Sequence, residues 1–140
     1  MKRRKGRECV LQFLFQFDFT GKTPEKKDFE DLWTLEGIED PEMRGFIEDI
    51  TCGTLNNLSE IDAAIQKAAE NWVLQRMAAV DRSILRFAAY ELLFCEDIPY
   101  AVTINEAIEI ARKYSTSEST SFINGILDKI AKGIKGKRVR

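Results

Sequence analysis

The run Ile84-Leu85-Arg86-Phe87-Ala88-Ala89-Tyr90-Glu91-Leu92-Leu93-Phe94 decides how this chain folds. On a helix of about 3.6 residues per turn, Val80, Ile84, Leu85, Ala88, Leu92 and Cys95 crowd one side, and Phe87, Ala89, Leu93 and Phe94 make most of the rest apolar. A helix apolar nearly all round belongs inside a bundle, so Met77 to Cys95 is expected to be the central helix of an all-α protein. Its charges are segregated: Arg82 and Arg86 lie one turn apart on one stripe, and Glu91 points away from it. A buried carboxylate without a partner is strongly unfavourable, so Glu91 is expected to satisfy donors inside the bundle, with Arg86 open to a structural role too.

Working outward, Val10, Leu11, Phe13, Leu14, Phe15 and Phe17 recur at helical spacing and predict a first helix over Arg7 to Phe19, ended by the loop Gly21-Lys22-Thr23-Pro24. Asp28 is expected to cap a short helix to Leu35 with Gly37 at its C′ position. Asp40-Pro41 reads as a cap and N1 proline, opening a helix that carries Met43, Phe46, Ile47, Ile50 and Leu55 inward until Asn56-Asn57 breaks it. Ser59 with Asp62 resembles a capping box for a fourth helix ending near Glu70, and Trp72-Val73-Leu74 reads as an apolar linker into the central helix. Beyond the Glu96 to Pro99 turn, Thr103-Ile104-Asn105-Glu106 has the capping-box pattern and predicts a helix to Tyr114. Ser115 to Ser121 reads as a polar loop before a last helix bearing Phe122, Ile123, Ile126, Leu127 and Ile130. No segment alternates as a strand does, so the expectation is a compact bundle of about seven short helices.

A chain of 140 residues with 44% hydrophobic content is expected to form one domain, residues 1–140, without a metal or disulfide staple. Three cysteines without a CxxC pair, and no histidine, speak against a zinc site or disulfide framework and suit a reducing cytosol. The basic start lacks a signal peptide's apolar core, and no apolar run nears the roughly 20 residues of a membrane span. A soluble, cytoplasmic protein is expected. The net charge of −2 hides a split: Lys2, Arg3, Arg4, Lys5 and Arg7 open the chain, and Lys129, Lys132, Lys135, Lys137, Arg138 and Arg140 close it, around a body holding all 23 acids. Basic ends on an acidic body imply a local polyanion contact rather than a coat of nucleic acid.

Catalysis finds little support. Histidine, the commonest general base and metal ligand, is absent, the glycines follow no phosphate-binding pattern, and pairs such as Glu106/Glu109 and Asp81/Glu91 arise by chance in so acidic a chain. No enzyme, cofactor or metal is expected. The Lys2 to Arg7 cluster suits phosphates, with a solubilising terminus as the bland alternative, and cations at a helix start oppose its dipole by about 0.3–1 kcal/mol each, which favours a partner. For Phe122 two readings stand open, a core ring in register with Ile126 and a platform for a stacked base. Asn124-Gly125 is read either as a close helix contact or as a polar group presented beside that ring.

The basic run with Arg7-Glu8, then Val80-Asp81-Arg82-Ser83-Ile84-Leu85-Arg86-Phe87-Ala88-Ala89-Tyr90-Glu91-Leu92, Ile98-Pro99, Ile104-Asn105-Glu106-Ala107 and Phe122-Ile123-Asn124-Gly125-Ile126-Leu127-Asp128, resemble the NusB family of bacterial antitermination factors, in order over nearly the full length. The resemblance implies two small helical subdomains, the ribosomal protein called NusE as partner, the single-stranded boxA element of nascent ribosomal RNA as ligand, and a place in the RNA polymerase antitermination complex. Carried over by position, it implies RNA contact at Arg3, Arg4, Lys5, Arg7, Phe122 and Asn124, and partner contact at Phe15 and Asp81. The basic segment departs from the family's pattern in being short and containing Gly6, and Phe15 stands where tyrosine is frequent, without its hydroxyl. The rivals are the RNA-binding module of a ribosomal RNA cytosine methyltransferase, which needs an α/β domain after the point where this chain stops at Arg140, and a protein-binding scaffold or homodimer without an RNA role.

Overall fold

In a computed structural model, which describes residues 2–134, the chain forms seven α-helices: α1 (Lys2–Thr20), α2 (Lys26–Glu36), α3 (Pro41–Asn56), α4 (Leu58–Ala69), α5 (Ala79–Phe94), α6 (Tyr100–Tyr114) and α7 (Ser117–Ile134). A single 3₁₀ turn, Leu74–Arg76, precedes α5. No strand occurs among the described residues, and no helix there is long and apolar enough to cross a membrane.

Helix α5 is the axis. Ile84, Leu85, Phe87, Ala88, Ala89 and Leu92 are wholly buried, and α1, α3, α4, α6 and α7 all pack on it. One hydrophobic cluster joins the two sides, from Val10 and Leu14 of α1 and Ile47 of α3 to Ile61 of α4, Ile110 of α6 and Leu127 of α7. Burying this many aliphatic and aromatic chains at about 1.5–3 kcal/mol each is what holds the bundle.

Strong local signals place the ends well. Asp40 accepts from the Glu42 amide at 3.0 Å with Pro41 behind it, and Gly37 closes α2 in the left-handed region, φ 66°. Elsewhere tertiary contacts override local pattern. Helix α1 begins at Lys2, five residues early, because the cations find carboxylates that offset their conflict with the helix dipole. Asp28 is not the cap of α2: Glu25 caps it, and Asp28 accepts from the Glu25 amide at 2.8 Å as the reciprocal half of a capping box. Ser59 and Thr103 lie inside α4 and α6, not at their starts, and α7 begins at Ser117, within the expected loop.

Gly6 explains how α1 approaches α3. A Cβ there would stand 2.7 Å from Met43 Sδ and 3.1 Å from Phe46 Cδ2. Gly6→Leu is expected to push α1 off α3 and cost about 1–3 kcal/mol, read as a lowered urea midpoint, even though leucine is the better helix former.

The charged stripe of α5 is a structural clasp. Asp18 of α1 accepts from Arg82 Nε at 3.1 Å and Arg86 Nη1 at 3.0 Å, and Asp62 of α4 takes Arg86 Nε and Nη2 at 2.9 and 3.0 Å. Arg82 Nη1 also donates to the carbonyls of Leu74 and Met77, at 3.1 and 2.7 Å, tying down the 3₁₀ turn. The hydrogen bond from Arg82 holds the Asp18 carboxyl below its usual range. A carboxylate so depressed stabilises the fold fully above its unfolded value of about 3.9 and loses that contribution as pH falls through its lower folded value. Stability is therefore expected to hold steady from neutrality to about pH 5 and fall below about pH 4. Asp18→Asn is expected to remove about 2 kcal/mol at neutral pH and to flatten the acid limb, both measured by denaturant titration across pH.

Candidate functional site

The cations fan out from the first two turns of α1, and most have a carboxylate of their own. Arg4 donates through Nε and Nη2 to both oxygens of Glu106 on α6, at 2.8 Å each, with its side chain 36% exposed. Lys5 reaches Glu36 at the end of α2 at 2.6 Å, half exposed. Arg3 is exposed and lays its guanidinium over the Phe46 ring, 4.6 Å from the centroid. The Glu106 contact raises the Arg4 pKa, and the same hydrogen bond lowers that of Glu106, so both stay ionised. Lys2 contributes backbone to α1, while its side chain, like Lys135, Lys137, Arg138 and Arg140, lies outside the described residues.

Arg7 requires a correction to the RNA-contact expectation. Its side chain is 1% exposed, and its Nε and Nη2 donate to the two oxygens of Glu91 at 2.8 Å each. Thr103 Oγ1 donates to Glu91 Oε1 at 2.7 Å, completing a buried junction of α1, α5 and α6. Arg7 also lies over the Phe46 ring, 5.3 Å from its centroid. A guanidinium committed in this way is not presented to a phosphate.

Asp81, expected as a partner contact, is engaged within its own chain. It is 6% exposed, and its oxygens accept from Ser115 Oγ at 2.6 Å and Ser119 Oγ at 2.7 Å. It fastens the start of α7 to the start of α5. Phe15 is 36% exposed and stands edge-on to Phe19, 5.0 Å between centroids. It borders a cavity of about 400 Å³ with Lys5, Gln12, Val80, Lys113 and Tyr114, where Lys113 meets Glu8 at 3.2 Å. Asp81 lines a different depression.

Phe122 of α7 is half-buried, and its ring stands edge-on to Trp72 at 5.2 Å. Asn124 is exposed, but two residues along a helix diverge by about 200°, so it does not sit beside the ring, contrary to one of the two readings above. The basic start of α1 and Phe122 belong to opposite ends of α5. Arg7 is held at Glu91, and the Phe122 groove touches Asp81, ten positions back and about 15 Å along the axis. Trp72, in the stretch read as an apolar linker, is 59% exposed.

The model of the NusB family matches residues 4–132. The transcription antitermination protein NusB of Thermodesulfovibrio yellowstonii is 46% identical over 140 residues, covering 94% of this chain and 93% of its own. That of Desulfitobacterium hafniense is 47% identical over 137 residues, covering 98% and 93%. Among solved structures, NusB of T. maritima superposes with a TM-score of 0.83 at 44% identity, over 93% of this chain and 90% of that one. A crystal structure of the antitermination factors NusB and NusE in complex with double-stranded RNA shares the fold at 22% identity, TM-score 0.85, over 94% and 97%. With these relatives, the family match and the seven-helix architecture in agreement, the chain belongs to the NusB family.

Proposed function

We propose that the protein is a transcription antitermination factor that joins a ribosomal protein of the NusE type, takes up the boxA element of nascent ribosomal RNA as a single strand, and enters the RNA polymerase antitermination complex. The observation that carries this is the division of α1. Its first turn presents Arg3, Arg4 and Lys5 toward solvent, and about three turns on, Phe15 opens onto the cavity between α1 and α6. Arg3, Arg4 and Lys5 meet RNA phosphates, and Phe15 with Val80 and Tyr114 receives the protein partner. Arg7 supports the first of these surfaces from within, through its ion pair with Glu91.

The test is a polarisation titration of labelled boxA-type and scrambled single strands, with and without a NusE-type protein. Preference for the boxA strand, strengthened by the partner, is the expected result. With about three cations on phosphate, the slope of log affinity against log salt should be near −2, at about 0.7 per contact on single strands. The competing reading, a protein-binding scaffold or homodimer without RNA, draws on the exposure of Phe19 at 71% and Leu35 at 77%. Equal or absent binding to both strands would favour it.

A further inference from the structure

Phe94 closes α5 with its ring at the surface, 38% exposed, on a helix that is otherwise mostly buried. It is not a loose side chain. The ring stacks on that of Tyr90 one turn earlier, with 5.3 Å between centroids and 25° between planes. Tyr90 in turn lies across α3: a Cβ on Gly53 would stand 2.2 Å from both its Cζ and its Oη, so only glycine lets the phenol rest on that helix. The two rings form a fixed aromatic shelf between α3 and the end of α5. Asp49 lies one turn before Gly53 on the same stripe of α3. Burial first, then the nearby Cys95 and Asp49, push the Tyr90 hydroxyl above its ordinary pKa.

The shelf is bordered by charge without counter-charge. Glu48 and Asp49 on α3, and Glu96 and Asp97 just past α5, are exposed, and none meets a cation among the described residues. Carboxylates elsewhere have theirs: Glu106 holds Arg4, Glu36 holds Lys5, and Asp18 and Asp62 share Arg86. The rings show the same contrast. Arg3 lies 4.6 Å from the Phe46 centroid and Arg44 5.6 Å from that of Trp33, while Phe94 has no cation over it among the described residues. Four uncompensated carboxylates repel a phosphate backbone, which turns this face toward a protein. A guanidinium satisfies both halves of it, stacking on a ring and offering paired N–H groups to a carboxylate, whereas an ammonium is a compact point charge without the planar fork. A second copy of the chain is a poor donor, because Arg4, Lys5 and Arg7 are already held by carboxylates of their own.

We propose that Phe94, braced by Tyr90, and the carboxylate of Asp49 receive an arginine side chain of a further protein partner, on a surface separate from those of α1. The guanidinium stacks on Phe94 and pairs with Asp49, while Glu48, Glu96 and Asp97 attract it from a distance. The site is independent of the RNA reading above. The test is an amide NMR titration of the whole isotope-labelled chain with a short capped peptide carrying two arginines, and with its lysine counterpart. The arginine peptide should move the amides of Asp49, Tyr90 and Phe94 along one saturating curve, and the lysine peptide should bind at least roughly threefold more weakly. Phe94→Ser and Asp49→Asn each alter an exposed residue, and each should weaken the arginine peptide roughly threefold to tenfold with unchanged thermal melts. Where the Phe94→Ser melt falls, Asp49→Asn alone decides. Binding of a boxA-type strand and of a NusE-type protein should be unaltered in both variants. Equal affinity for the two peptides, shifts centred on Glu36 and Glu106 instead, or full affinity in Asp49→Asn would each overturn the receptor. A dimer in sedimentation that Phe94→Ser dissolves would overturn it too and give the shelf to a second copy. Loss of RNA or NusE-type binding in a stably folded Phe94→Ser chain would likewise overturn it, by joining the shelf to the surfaces of α1.

Discussion

Replacing Glu91 by alanine is expected to cost about 3–5 kcal/mol of folding stability, the largest effect of any single change considered in this protein. The carboxylate is wholly buried, and its removal leaves Arg7, 1% exposed, as a lone cation between α1, α5 and α6 with the Thr103 hydroxyl also deprived of its acceptor. At roughly 4 °C per kcal/mol for a chain of this length, the melting temperature should fall by about 12–20 °C. The converse change is equally telling. Arg7→Met, Glu91→Leu and Thr103→Val in one chain replace the polar junction by apolar packing of similar bulk, which is often neutral or stabilising. That variant should regain most of the stability and bind RNA as the parent does. A folded triple variant that loses RNA affinity would return Arg7 to the set of RNA contacts.

Replacing Arg3, Arg4 and Lys5 by alanine together is expected to reduce affinity for a boxA-type strand by about a hundredfold near 0.1 M salt. On single strands each phosphate contact is worth about 0.7 in the salt exponent, and three contacts amount to about two decades at that concentration. The salt slope should fall toward zero and the NusE-type complex should persist, because Phe15 and its cavity lie further along α1. Filter binding across a salt series, with partner association followed separately, measures both. A triple variant with unaltered slope would mean that the phosphates are met elsewhere on the molecule.

How much was legible depended on how local the cause was. The central helix, the Asp40-Pro41 start of α3 and the Gly37 end of α2 were readable, because each is decided by residues within a turn of one another. The partner of Arg7 was not, since Glu91 is 84 positions away, and neither was Glu106 for Arg4, 102 positions away. The same distance explains the misread start of α6. Thr103 and Glu106 have the spacing of a capping box, but both turn inward, one to Glu91 and the other to Arg4, and Pro99 occupies the cap position instead. The hydroxyls that meet Asp81 were hidden for a similar reason, because Ser115 and Ser119 lie 34 and 38 positions away. The exposure of Trp72 was invisible because it comes from the Gln66 carboxamide, which binds the Trp72 carbonyl and the Leu74 amide and which no short-range pattern encodes.

The carboxylates beside Arg4 and Lys5 bear on selectivity. Glu106 and Glu36 are tethered competitors, always present at a local concentration that no dissolved anion matches. A lone phosphate or chloride ion meets cations already occupied and gains little by displacing a carboxylate. A strand that brings several phosphates in register displaces them collectively, paying the loss of each ion pair against a gain shared along the chain. The ion pairs at the start of α1 thus act as a threshold: silent toward scattered anions, they yield to a polymer.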